Sequence, residues 1–176
     1  MSEQSLSLDQ VLALKHGSTG EVVNVDEEVT KLVVFSLGED WFAFRGDMVK
    51  EILIDNEVFF LPGCPASLEG VINVRGDIES VVHLRAVLGY PLASTLLSSR
   101  ILLGHGKSMR SGIRVDRVED VLDVPQSRFQ PPPHTIAAPF KGIVTGIVTG
   151  IVTQGTQTIS VLDMDALFED YRAGLR

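Results

Sequence analysis

The sequence predicts a mainly β protein: two small barrels packed against each other, with an N-terminal extension and a C-terminal helix. Three observations carry that prediction. Short runs of alternating apolar and polar residues are separated by turn residues at regular spacing, which indicates small barrels rather than a parallel sheet. The order of strands and turns in the first half returns in the second, so there are two similar strand sets. The chain has 176 residues, 44% of them apolar, which suits one domain or two small subdomains. Sets this small must bury much of their apolar surface against each other.

The stretch SLSLDQVLALKHG spaces Leu8, Val11, Leu12 and Lys15 as a helix, with Ser7 or Asp9 as cap and Gly17 as stop. STGEVVNVDEEVT is acidic and turn-rich and reads as a linker, so residues 1–30 form an extension. From Lys31 the period becomes two. KLVVFSLG and WFAFRG are strands of a hairpin with its turn at Gly38–Asp40. MVKEILI accommodates either a short helix or a strand, and its β-branched residues favour the strand. LPGCPASLEG is broken by Pro62, Gly63 and Pro65, with room for one helical turn at Ala66–Glu69. GVINVRGDIESVVHLRAVLG gives strand, tight turn, strand, and a short helix stopped by Gly89. Then the order repeats. SRILLGHG and RSGIRVDRV form a hairpin, EDVLDVP follows, and a loop holds Pro131–Pro133. FKGIV and QTISVLD make a further hairpin. MDALFEDYRAGL is a helix capped by Asp163, with Leu162, Leu167 and Tyr171 on one face.

A net charge of −8 argues against nucleic acid, whose phosphates need a basic face. The single cysteine, Cys64, excludes an internal disulfide and reads as a small apolar residue near a turn. The opening MSEQSLSLDQ has neither a basic n-region nor a long apolar run, so no signal peptide is read there. No stretch approaches the roughly 18 apolar residues of a membrane span. The expected compartment is the cytoplasm, without membrane insertion. GHGKS at Gly104–Ser108 fails as a phosphate loop, because Ile101 stands where the first glycine belongs. His16, His83, His105 and His134 are scattered, with no i, i+4 pair, so no metal is expected. No nucleophile–base pair assembles. The chain reads as a binding module without cofactor; a small hydrolase using Cys64 or a histidine is the rival from another class.

In GVINVRGDIESVV, Ile72 and Val74 share one strand face, while Val71, Asn73 and Arg75 share the other. A two-residue loop at Gly76-Asp77 would set Val74 opposite Glu79 and mix the faces. The amphipathic pattern favours a three-residue loop, Gly76-Asp77-Ile78, with Arg75 opposite Glu79 and Ile72 opposite Val82. Arg75 then reads either as half of a surface ion pair or as a cation aimed at a partner from a rigid hairpin.

FSLGEDWFAFRGDMVKEIL, LPGCPASLEGVINVRGDI, HLRAVLG, GIRVDRVEDVLDVP and ISVLDMDALF, in that order, resemble the CheW family of bacterial chemotaxis coupling proteins. The resemblance runs from about Lys31 to Leu167 and gives a CheW-like domain over 31–170. It implies two five-stranded, SH3-like barrels with an apolar seam, and no catalysis. It implies an adaptor that bridges a chemoreceptor's cytoplasmic tip to the regulatory domain of the histidine kinase CheA. It places receptor- and kinase-binding positions at Val49, Glu51, Gly70, Asn73, Arg75 and Gly76. The sequence departs from the family at Glu79 and Ser80, usually apolar then Pro, and at His83, usually Asp. These departures raise a second reading, a scaffold in another chemosensory pathway such as twitching motility.

One feature lies outside that pattern: Gly-Ile-Val-Thr occurs three times running from Gly142 to Thr153. Family members need one copy, and removing Ile143–Gly150 restores their length. The period of four keeps Gly and Val on one strand face and Ile and Thr on the other, so a slip by one unit is nearly silent. Twelve extended residues span about 40 Å, too long for a small barrel strand. Some copies must protrude, bulge or pair elsewhere. The segment reads as inserted material, with self-association through 142–153 as its alternative role.

Overall fold

The computed structural model describes residues 5–8, 27–54, 56–92, 97–133 and 146–174. The strands are β1 (Ser5–Ser7), β2 (Val29–Leu37), β3 (Asp40–Arg45), β4 (Val49–Leu53), β5 (Leu68–Val74), β6 (Asp77–His83), β7 (Arg100–His105), β8 (Arg110–Val115), β9 (Arg117–Pro125), β10 (Val148–Gln154) and β11 (Gln157–Leu162). Helix α1 (Leu84–Leu88) follows β6, and α2 (Met164–Gly174) follows β11. The strands form two sheets, ordered β1-β4-β7-β8-β6-β5 and β10-β11-β3-β2-β9.

Local chemistry places most of these elements. The Asp163 carboxylate accepts the Ala166 backbone N–H at 3.1 Å and so caps α2. Gly89 ends α1 in a left-handed conformation, φ 82°. MVKEIL is a strand after a 3-10 turn at Gly46–Met48. At Ala66–Glu69 there is a turn but no helix: Leu68 N–H reaches the Pro65 carbonyl, and β5 has already begun. At the N-terminus, Ser5–Ser7 pairs with β4 as an outer strand of the first sheet, and Leu8 packs on the core. The helix expected at Val11, Leu12 and Lys15, its stop at Gly17, and the linker up to residue 26 lie outside the described residues; the linker's last two residues, Val29 and Thr30, already belong to β2 and pair with Pro125 and Val124, which corrects the expected start at Lys31.

The repeated order of elements is real, but it does not divide the chain into its two sheets. Residues 29–88 supply β2-β3, then β4-β5-β6-α1; residues 100–174 supply β7-β8, then β9-β10-β11-α2. Each repeat gives its leading hairpin to the other repeat's sheet. Hairpin β2-β3 lies in the sheet of β9, β10 and β11, and hairpin β7-β8 in the sheet of β4, β5 and β6. The counterpart pairings agree: β6 runs parallel to β8, and β11 parallel to β3. The expectation of one barrel per strand set is corrected to two interleaved sheets.

Among the described residues, the buried apolar side chains form three clusters. Leu53, Ile72, Val74, Val81, Ile101 and Leu103 pack within the first sheet. Leu32, Val34, Ala43, Val124, Val152, Ile159 and Val161 pack within the second. The largest cluster is the seam between the sheets, joined by both helices. There Phe35 stacks on Phe44 with centroids 5.1 Å apart, facing Ile52, Leu102 and Ile113 of the first sheet. Arg85 of α1 binds Asp116, whose carboxylate also accepts the Gly38 N–H of the β2–β3 turn at 2.8 Å. The seam thus has an ionic tie at one end.

The third Gly-Ile-Val-Thr copy pairs with β11, through Gly150↔Val161, Ile151↔Ser160, Val152↔Ile159 and Thr153↔Thr158. The second copy is also used: Ile147 and Val148 are 1% and 5% exposed, both in the seam cluster. A register shift between Val148 and Gly150 turns the strand over. Val148 therefore packs in the seam and Val152 in the second sheet's own cluster, which corrects the expectation of identical faces. Copy Gly142–Thr145 lies outside the described residues.

Candidate functional site

Strand β4 and the β5–β6 hairpin build the candidate site. The hairpin pairs Val74 with Asp77, Asn73 with Ile78 and Ile72 with Glu79, so its turn is Arg75-Gly76. Both turn residues have positive φ, 52° at Arg75 and 91° at Gly76, as in a type I′ turn. The Asn73 side-chain carbonyl accepts the Gly76 N–H at 2.8 Å. The expected three-residue loop and the Arg75–Glu79 pair are therefore corrected. The tight turn suits strand twist, and the acid set opposite Ile72 is tolerated because Arg110 on β8 pairs with it at 3.0 Å. Ile78 leaves the turn and stands in the strand, 66% exposed.

Arg75 makes its contact elsewhere. Its two terminal nitrogens donate to Glu51 at 2.6 and 3.0 Å, a bidentate pair. The Glu51 side chain is 6% exposed and that of Arg75 59%. Strands β4 and β5 are not neighbours in the sheet, so the pair reaches across it and ties the hairpin tip to β4. Below the tip lies a cavity of about 180 Å³, bordered by Lys50, Arg75, Glu79, Leu103, His105 and Arg110. His105 also borders a groove of about 680 Å³ running to Met48, Leu162 and Met164. On the outer side of the hairpin, Phe59 bridges to Val71 and is 52% exposed; Phe60 beside it is 73% exposed. Ile78, which pairs with Asn73, is a third exposed apolar side chain here.

Residues 31–172 match the family model of the CheW-like domain. The chain belongs to the CheW-like family. It is 34% identical over 149 residues to "Chemotaxis protein CheW" of Treponema pallidum (strain Nichols), covering 82% of this chain and 85% of that one. It is 33% identical over 111 residues to the protein of the same name from Rhizobium meliloti (strain 1021), covering 63% and 71%. Its fold matches the crystal structure of the scaffolding protein TtCheW from Thermoanaerobacter tengcongensis, with a TM-score of 0.71 and 29% identity over 81% of this chain and 94% of that one.

In this CheW-like chain the six positions marked by resemblance divide into two groups. Glu51, Asn73, Arg75 and Gly76 meet at the hairpin tip through the bonds just described. Val49 is 3% exposed and belongs to the seam. Gly70 works by lack of a side chain: a Cβ there would lie 2.2 Å from the Phe59 carbonyl oxygen. Sequence reasoning missed Arg110, Lys50 and the Phe59–Phe60 surface; the apolar run VFFL before Pro62 was the available signal. At His83, burial holds the imidazole below its ordinary pKa; the positive charges of Arg114 and Arg85 add to this, while Glu69 and Asp116 oppose it. Its Nδ1 is buried without a hydrogen-bond partner among the described residues. Also among them, no three of His, Cys, Asp and Glu converge as a metal site, and no helix is long and apolar enough to cross a membrane.

Proposed function

We propose that this CheW-like protein is a non-catalytic adaptor that couples chemoreceptor tips to the histidine kinase CheA in a chemosensory array. The observation that carries the reading is the Arg75–Glu51 pair, held at the tip of a type I′ hairpin that also carries exposed Ile78 and takes the bridge from exposed Phe59. A rigid cation on a hairpin with exposed apolar side chains is equipped for macromolecular contact. The names of the relatives, chemotaxis protein CheW and a scaffolding protein, support it. Val49, Glu51, Gly70, Asn73, Arg75 and Gly76 are the proposed receptor- and kinase-binding set, with Val49 and Gly70 acting through packing. The proposed partition is an extension over 1–30 and a CheW-like domain over 31–170, acting in the cytoplasm.

Barrel form is part of the same reading. In each sheet the chain leaving one strand bridges back to the far edge: Phe59 to Val71, and Gln130 to Ile151. That second bridge covers the outer side of β10, which weighs against self-association through the repeat. A scaffold of another pathway, such as twitching motility, is the second reading; 28% identity to "Protein PilI" of Pseudomonas aeruginosa, over 60% of the chain, favours it less than the CheW relatives favour the first. Co-sedimentation with a receptor cytoplasmic fragment and the kinase's regulatory domain tests the proposal. The expected result is a pellet containing all three; a protein that stays in the supernatant with both partners present rejects the adaptor role.

A further inference from the structure

We propose that the Gly-Ile-Val-Thr repeat gives β10 two registers on β11, related by a slip of one four-residue unit. The inference goes beyond the adaptor reading and does not depend on it.

The strand uses the second and third copies. The third forms the ladder with β11, from Gly150↔Val161 to Thr153↔Thr158. The second supplies Gly146, at φ 75°, and Ile147 and Val148, both buried in the seam. Residues 142–149 read Gly-Ile-Val-Thr-Gly-Ile-Val-Thr, and so do residues 146–153. A slip that brings 142–149 into the places of 146–153 therefore replaces every side chain by its own kind. Gly142 takes the positive-φ place, where a Cβ would be strained. Ile143 and Val144 fill the seam, and Val148 takes the place of Val152 in the second sheet's cluster. The Asp163 N–H to Ile147 carbonyl bond and the two bonds between Gln130 and Ile151 are backbone bonds. They re-form with whichever isoleucine stands there.

The ends of the repeat limit the slip. A second unit would put Ala138 at the positive-φ place, and Pro139 and Phe140 where Ile147 and Val148 are buried. The opposite slip would put Gly155 and Thr156 where Ile151 and Val152 are buried. Three copies thus permit two registers, and two copies permit one. The hairpin tip separates the two. In the observed register Gln154 pairs with Gln157, Gly155 turns at φ 60°, and Arg128 donates to the Gln154 side-chain oxygen at 2.9 Å. In the other, Gly150 stands in the place of Gln154 and the tight turn opens into the loop 150–157. The observed register is the more populated, because the longer loop gives up these contacts and costs more to close. The slip carries one unit from the segment before β10 to its tip and exposes Ile151 and Val152. A partner that grips this apolar loop would draw the strand into the second register.

Disulfide trapping reads the register, in a C64S background that leaves no other thiol. In T153C/T158C the two positions are direct partners in the observed register, with Cα atoms about 4.5–5.5 Å apart and within disulfide reach. In T149C/T158C they become partners only after the slip. In the observed register Thr149 lies between the Val148↔Leu162 and Gly150↔Val161 pairs, about 10 Å along the strand from Thr158. Thr149, Thr153 and Thr158 are all exposed, so the substitutions leave the clusters intact. Both pairs are also made in a chain lacking Gly142–Thr145, where the slip would drive Phe140 into the seam. Each protein is oxidised when dilute, and the cross-link in the monomer is located by peptide mass mapping. T153C/T158C is expected to cross-link in both chains, and T149C/T158C in the three-copy chain alone. Absence of the 149–158 bond from the three-copy chain overturns the second register. An equal yield of that bond in the two-copy chain overturns it too, since fraying would then be the source. Failure of T153C/T158C in both chains removes the pairing on which both registers rest.

Discussion

Arg75 and Arg85 each grip a carboxylate with two nitrogens, and in both pairs the acid is largely buried. Arg85 and Asp116 are both largely buried, so Arg85→Ala leaves a stranded acid and should cost about 3–5 kcal/mol in a urea titration. Arg75 stands mostly in solvent but its acid, Glu51, is 6% exposed, so Arg75→Ala is tested on a Glu51→Gln background, where no charge is stranded; there it should cost about 1 kcal/mol and leave the fold intact while weakening receptor or kinase binding. Unchanged binding by the folded variant would remove Arg75 from the site. His83 supplies a pH signature. Its folded pKa lies below the ordinary 6.5, so the unfolded chain binds the proton more readily. The stability tied to the neutral ring is full above that value and lost as pH falls through the depressed folded pKa. His83→Gln should flatten the urea midpoint between about pH 7 and pH 5; an equal slope in both proteins would rule out His83 as the source. Arg75 was legible as a candidate from its motif. Its partner was not, because Glu51 lies on a strand that is not its neighbour and no local spacing reports that contact.

The β5–β6 and β10–β11 hairpins are structural counterparts. Both have a register shift two residues into the pairing, at Leu68/Gly70 and Val148/Gly150. Both take a single bridge from an incoming segment, at Val71 and Ile151. Gly150-Ile151-Val152-Thr153 thus occupies the place of Gly70-Val71-Ile72-Asn73, and the repeat multiplies the opening unit of one hairpin. Deleting Gly146–Thr149 sets Gly142–Thr145 in its place, residue for residue the same. That deletion should move stability by less than about 0.5 kcal/mol. Deleting Ile143–Gly150 instead sets Pro139 and Phe140 where Ile147 and Val148 are buried. It should cost about 2–4 kcal/mol, seen as a lower thermal midpoint. Equal midpoints for the two deletions would show that the second copy contributes nothing to the seam. Strand periodicity was legible in the repeat; the bulge that reverses Val148 relative to Val152 was not, since it depends on pairing with β11.

Across the whole molecule, exchange of the leading hairpins joins the sheets covalently as well as through the seam. Phe44→Ala should cost about 3–5 kcal/mol, and the amides of β2–β3 and β7–β8 should lose hydrogen-exchange protection together. Separate transitions would mean that the sheets are independent units. Turn residues, alternation and caps determined which segments are strands and helices, because those preferences act within a few residues. The same local order made the internal duplication and the family motifs readable, and with them the proposed role. Only the tertiary structure decided which sheet each hairpin joins, which acid holds which arginine, and which repeat copy pairs with β11. Those choices compare contacts between segments far apart in the chain, and identical local patterns such as successive Gly-Ile-Val-Thr units cannot rank them; the burial of Ile147 and Val148 in the seam can.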